Sequence, residues 1–290
     1  MGLSASRYRR LLLIAGFLLI AGCATPPAVK QTVAPAKPKI GLALGGGAAR
    51  GFAHIGVIKM LESQGIIADY VIGTSAGAVV GALYAGGNDA YAMQKIAIQL
   101  DEKIFADWTL GGRGLLKGEA LQDFINQHLN KRPLEKLNKP FATVATDLNS
   151  GERIVFRSGD TGMAVRASAA VPGVFQPVQF RGHTYVDGGL TSPVPVQAAR
   201  EMGADFVIAV DISSPANSQP IDSISAILWQ TTTIMGGIIS KNELREADIV
   251  IRPKLPYVKS WDFTARHEAV LEGERAAQAA LPLIRQKLGR

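Results

Sequence analysis

Three short stretches of this 290-residue chain carry residue types that together do covalent chemistry. Ser75 stands between Gly73 and Gly77 in "VIGTSAGAVVG", which reads as a strand, a sharp turn and the start of a helix. Such a turn lifts a serine hydroxyl clear of the backbone, where it can attack a carbonyl carbon. Asp187 ends an apolar run and precedes Gly188 and Gly189 in "YVDGG". In a tight, partly desolvated pocket an aspartate has a raised pKa and can take a serine proton directly. The same residue can instead cap its own backbone in an Asx turn. Gly45, Gly46 and Gly47 also follow an apolar run and lead into a helical pattern. Their N–H groups suit the negative charge that develops on an attacked carbonyl oxygen, or the run is simply a tight turn.

A serine nucleophile commonly hands its proton to a histidine, and there are four: His54, His128, His183 and His267. None stands in a context that marks a base. A Ser–His–Asp arrangement would need His267 with Asp187 or Asp211, so that alternative stays open beside direct transfer to Asp187. Other uses of the glycine run fail on residue type. Arg50 occupies the third glycine position of a dinucleotide loop, and no Gly-Lys-Ser/Thr follows for a phosphate loop. No Cys/His cluster is spaced to ligate a metal, and no cofactor is expected.

These residues need a scaffold. Short apolar runs with little alternation occur at Ile40–Leu44, Tyr70–Ile72, Phe141–Ala145, Phe206–Val210 and Ile249–Ile251. Such runs fit strands buried on both faces of a sheet. Helical patterns lie between them, at His54–Gln64, Ala76–Ala85, Ala92–Leu100, Glu119–Leu129, Val194–Met202 and His267–Leu288. Strands alternating with helices imply a mostly parallel α/β sheet covered on both sides, with its site at the carboxyl ends of strands. Gly45 and Ser75 fall there. The strongly apolar Ile224–Ser240 reads first as a helix packed in the core, and second as a lid or membrane-touching surface.

The ends of the chain have a different character. Arg7, Arg9 and Arg10 precede an apolar run, Leu11 to Gly22, that is too short to span a bilayer comfortably and has the form of an export signal. Ile20-Ala21-Gly22-Cys23 resembles the lipobox of bacterial lipoproteins, which implies cleavage before Cys23 and lipidation of its sulfur. Cys23 is the single cysteine, so no internal disulfide can form. The proline-rich segment to Lys39 reads as a tether, with a reach of roughly 50 Å at polyproline rise. The organisation expected is therefore a signal at 1–22, a lipidated tether at 23–39 and a catalytic domain at 40–290. Ala24, where an aspartate would resemble an inner-membrane retention signal, points to the outer membrane of a bacterial envelope, facing the periplasm. The formal charge of +7 belongs mostly to these segments: three arginines lie in the signal and three lysines in the tether, leaving +1 for residues 40–290. A nearly neutral domain is a poor nucleic-acid binder.

Taken in order, four blocks resemble the patatin-like phospholipase family. Gly45-Gly46-Gly47-Ala48-Ala49-Arg50-Gly51 is similar to its oxyanion loop, and Gly73-Thr74-Ser75-Ala76-Gly77 to its nucleophile elbow. "ASAAVPGVFQP", Ala167 to Pro177, is similar to a third block near the active site, and Asp187-Gly188-Gly189 to the motif of the catalytic aspartate. "LLKGEAL", from Leu115, resembles the bacterial branch. G-x-S-x-G alone would arise by chance in about one such chain in six, but the four together are specific, over about residues 40 to 211. The resemblance implies a three-layer αβα fold and a Ser–Asp dyad. Ser75 would then be the nucleophile and Asp187 the base. The N–H groups of Gly46 and Gly47, joined by Ala76, would hold the oxyanion, with Arg50 and Gly51 supporting the loop. The implied substrate is a lipid acyl ester, a phospholipid or lysophospholipid first.

Overall fold

The computed structural model describes residues 37–101, 107, 115–215, 221–259 and 262–289. The export signal, Cys23 and nearly all of the tether lie outside the described residues. At the last tether residue the chain is already held, since Lys39 donates its N–H to Asp205.

Eight strands form one sheet: β1 Ile40–Leu44, β2 Tyr70–Thr74, β3 Phe141–Asp147, β4 Arg153–Phe156, β5 Val178–Phe180, β6 His183–Asp187, β7 Phe206–Val210 and β8 Ile249–Ile251. The order is β5-β6-β3-β2-β1-β7-β8, with β4 also on β3. β1, β2, β3, β7 and β8 run parallel, while β4, β5 and β6 are antiparallel additions. The parallel strands start where the five apolar runs do, and β2 and β3 each continue two residues further, to Thr74 and Asp147.

The helices are α1 Phe52–Ser63, α2 Ala76–Ala85, α3 Ala90–Gln99, α4 Glu119–His128, α5 Thr161–Ser168, α6 Val196–Glu201, α7 Ile224–Glu243 and α8 Arg266–Leu288. Strand periodicity sorts them into layers. Ile40, Leu42 and Leu44 of β1 point with Ile208 and Val210 into a core shared with α1, α2, α3, α4 and α8. Ala43, Ile72, Val207 and Ala209 point the other way, onto α6 and Leu244. Large residues thus face the thick helical layer and smaller ones the thin layer, giving three layers, αβα. The expectation of a core position for Ile224–Ser240 fails: α7 is helical, but Ile224, Ile227, Leu228, Met235 and Ile238 are exposed.

One detail of register positions everything that follows. β2 pairs along β3 as far as Thr74 opposite Val144, and β6 begins its pairing with β3 at Asp187 opposite Ala145. β4 occupies the other edge of β3 at both residues. A strand has only two edges, so β6 takes the edge that β2 leaves. The carboxyl ends of β2 and β6 therefore meet tip to tip.

Candidate active site

The residue after β2 is Ser75, and the last residue of β6 is Asp187. Ser75 has φ 53° and ψ −119°, a left-handed conformation that is strained for a residue with a Cβ. The glycines around it are forced by contact. A Cβ on Gly73 would lie 2.3 Å from the Gly77 carbonyl oxygen, and one on Gly77 would lie 2.1 Å from that of Leu44. The strained turn is held by a hydrogen bond that the sequence reading missed. Ser75 N–H donates to the Ser168 hydroxyl at 2.9 Å, and that hydroxyl donates to the Val144 carbonyl at 2.5 Å. Ser168 is fully buried at the end of α5, and a polar residue among alanines was the available signal.

Asp187 is 5% exposed, and its carboxylate accepts the Gly189 N–H at 2.6 Å. Its other oxygen, Oδ2, is buried with no closed hydrogen bond. Burial pushes the carboxyl pKa up to about 6, against the opposing pull of the Ser75 hydroxyl and the Gly189 N–H. Ser75 is thus near enough to act on Asp187, although the bond between them is not closed. Catalytic hydrogen bonds of this type often tighten only when substrate is bound. The Asx turn and the base were alternatives at the level of sequence; the Gly189 N–H bond forms the turn, and burial raises the pKa of the same carboxyl.

All four histidines are engaged elsewhere or lie apart. His183 bonds Asp147 at 2.6 Å, His128 bonds the Phe124 carbonyl, and His267 is exposed in the first turn of α8. Asp211 is bound by Ser213 and Arg252. Among the described residues no hydrogen bond joins a histidine to Asp187 or Asp211, and His54 meets Asp211 only through its charge. His54 is fully buried, and its Nε2 lies 2.8 Å from the Gly45 carbonyl. Burial pushes its pKa down to about 4, so the ring is neutral and Nε2–H donates, propping the glycine loop from beneath.

The loop corrects one expectation. Gly45 N–H is donated to the Val210 carbonyl at 3.0 Å and Gly46 N–H to that of Pro193 at 2.9 Å. Gly46 is therefore not a free donor, and with Gly45 it shapes the loop. No bond within the described residues engages the N–H groups of Gly47, Ala48 or Ala76, which stand at or just before helix starts, where intrahelical acceptors are lacking. Ala48, like Ser75, has a left-handed φ, 49°. A Cβ on Gly46 would lie 3.3 Å from that of Ser75, and one on Gly51 only 2.7 Å from that of Ala76, so loop and elbow are packed together. Arg50 is buried and donates to the Ser214 hydroxyl; burial pushes its pKa down to about 10, with Asp211 opposing. It remains a cation and ties the loop to the chain beyond β7.

Ser75, Ala76, Ala48 and Gly51 open onto a cleft of about 630 Å3, part of it open to solvent. The rest of the lining is apolar and includes Phe52, Val79, Leu121, Val171, Phe175 and Phe263. A polar, strained corner thus faces an apolar trough.

The sequence of residues 42–200 matches the family model described as patatin-like phospholipase. An uncharacterized NTE family protein of Mycobacterium tuberculosis is 36% identical over 189 residues, covering 64% of this chain and 52% of its own. The human patatin-like phospholipase domain-containing protein 6 is 32% identical over 232 residues, 76% of this chain and 17% of its own. Lysophospholipase NTE1 of Yarrowia lipolytica is 31% identical over 232 residues, 76% and 16% respectively. The chain thus spans about half the length of the mycobacterial relative and about a sixth of the other two.

Proposed function

Because this chain belongs to the patatin-like phospholipase family, we propose that it hydrolyses lipid acyl esters through a Ser75–Asp187 dyad. The observation that carries the reading is the meeting of β2 and β6. It sets a strained serine beside a buried carboxylate with a raised pKa, while no histidine bonds that carboxylate. The apolar cleft suits an acyl chain, and the name of the yeast relative favours a lysophospholipid or phospholipid.

In the first step Ser75 Oγ bonds to the ester carbonyl carbon and its proton passes to Asp187. Charge on the carbonyl oxygen is met by N–H groups at the start of α2 and in the glycine loop, from Ala76, Gly47 and Ala48. The tetrahedral intermediate collapses, and Asp187 gives its proton to the departing alcohol, leaving an acyl-serine. Water then attacks that ester, Asp187 takes its proton, and collapse releases the fatty acid as the proton returns to Ser75. A carboxyl near pKa 6 serves both halves near neutral pH, ionised enough to accept and acidic enough to donate.

Fluorophosphonate labelling of Ser75 tests the nucleophile, and a screen over phospholipid, lysophospholipid, triglyceride and short-chain esters tests the substrate class. Asp187→Asn should abolish turnover while His267→Ala leaves it; the reverse pattern would return the site to a triad. A folded sample that neither labels nor hydrolyses any of the four would point to a silent lipid-binding protein. The anchor belongs to the same proposal: Cys23 carries lipid and holds the protein at the outer membrane, facing the periplasm. Cys23→Ser should fail to incorporate labelled fatty acid and should leave the membrane fraction.

A further inference from the structure

Helix α7 is built inside out. From Ile224 to Ser240 it contains no Asp, Glu, Lys or Arg. Ile224, Ile227, Leu228, Met235 and Ile238 are 80%, 52%, 62%, 58% and 61% exposed. Their spacing is helical, so they share one face along four turns. The face docked on the domain instead uses small and polar residues. Gly236 lies against the Gly189 carbonyl and Pro193, Ser240 is buried, and Glu243 accepts from Ser192 Oγ at 2.6 Å and from Val194 N–H at 3.4 Å. An ordinary surface helix has the opposite polarity, and a contiguous exposed apolar face marks an interaction site.

We propose that this face seats the domain on a phospholipid bilayer beside its own active site, an inference that rests on the lipid-ester reading above. Three observations favour lipid over a second copy of the chain. The hydroxyls of Thr231, Thr232 and Thr233 donate within the helix, to the carbonyls of Ile227, Trp229 and Trp229 at 2.8, 2.8 and 2.9 Å. The polar band on α7 thus takes no open hydroxyl donor into an apolar medium, where an open donor is costly. No helix among the described residues is long and apolar enough to cross a membrane, whereas a helix that lies along the interface needs only one apolar face, as α7 has. Its inner face also touches the segment after Asp187, whose Pro193 carbonyl holds Gly46. A bilayer on the outer face would therefore lie one helix away from the turn that carries Asp187.

The protein with Cys23→Ser provides the test, because Cys23 is the single cysteine of the sequence and an introduced cysteine is then uniquely labelled. In a Ser75→Ala background, Met235→Cys carrying a polarity-sensitive fluorophore should shift to shorter wavelength on phosphatidylcholine vesicles and be quenched by spin-labelled lipid. The same label on Ser63→Cys, at the far end of α1, should do neither. This readout is independent of hydrolysis, so it stands or falls apart from the enzymatic reading. In active protein, Leu228→Glu with Ile238→Glu should lower the ratio of vesicle to soluble-ester hydrolysis by roughly tenfold or more. An unchanged Met235→Cys signal on vesicles overturns the proposal. So does a shift that needs no vesicles and tracks a dimer dissolved by the glutamates, which assigns the face to a second copy.

Discussion

The ends of β6 and β7 carry two aspartates built almost alike. Asp187 ends β6 and Asp211 follows β7; they are 5% and 9% exposed, and each accepts the N–H two residues on. Their surroundings differ. Asp211 is given Arg252 at 3.0 Å and the field of Arg50, so its charge is compensated. Among the described residues Asp187 is given a serine hydroxyl and no cation, and burial lifts its pKa to about 6. One carboxylate is paired with a cation, and burial raises the pKa of the other. Position at a strand end does not by itself raise an aspartate's pKa; burial without a bound cation does.

The largest effect should separate the two residues outright. Asp187→Asn removes the base and should lower kcat/KM by about a thousandfold or more, whereas Asp211→Asn should change it only a few-fold. Stability should move the other way. The folded pKa of Asp187 is raised above its ordinary 3.8, so the stability it contributes is full below about pH 4 and is lost as pH rises through 6. Asp187→Asn should therefore stabilise the protein at pH 8, by up to about 3 kcal/mol, and leave it unchanged at pH 4. Urea midpoints at the two pH values check this, and equal shifts at both would break the assignment of a raised pKa. The same group sets the pH profile. Turnover of the wild type should fall about tenfold per unit below pH 6, because the protonated carboxyl cannot accept from Ser75. A flat profile from pH 5 to 8 would remove Asp187 from the rate equation.

How much of this contrast was readable beforehand follows from where the information lies. The parallel strands were legible because a strand covered on both faces must be a continuous apolar run, and Ile40–Leu44 and Phe206–Val210 are such runs. β4 and β5 were not, since four and three residues with part-exposed positions establish no period. Ser75 and Asp187 could be picked out because elbow and turn need glycine beside them. The occupied donor on Gly46 could not, because its acceptor, Pro193, is distant in sequence and adjacent only after the sheet forms. α7 was misread for a related reason. Hydrophobicity reports what a helix could bury, and says nothing of whether Gly236, Ser240 and Glu243 would be the face that docks.

A smaller effect concerns how the turn after β2 holds Ser75. Ser168→Ala removes the acceptor of Ser75 N–H and the donor to the Val144 carbonyl. Both groups are then left buried and unpaired, which should cost about 1–3 kcal/mol each at most. Because the strained φ of Ser75 is held partly by that bond, kcat should fall roughly tenfold while KM stays nearly constant. Fluorophosphonate labelling should slow in proportion. Lost stability with an unchanged labelling rate would make Ser168 a packing residue only.

The smallest predicted change is also the most direct attempt to turn one strand end into the other. Arg252→Ala takes the cation from Asp211 and leaves the carboxylate buried. The Arg252 side chain is 60% exposed, so solvent already screens the pair and the loss of stability should stay under about 1 kcal/mol. Urea midpoints of the two proteins at pH 7 check this. Turnover should change little, since Asp211 faces Ser213 and not Ser75. If Arg252→Ala instead lowers kcat/KM as far as Asp187→Asn does, the compensated carboxylate belongs to the site, and the distinction between the two strand ends is lost.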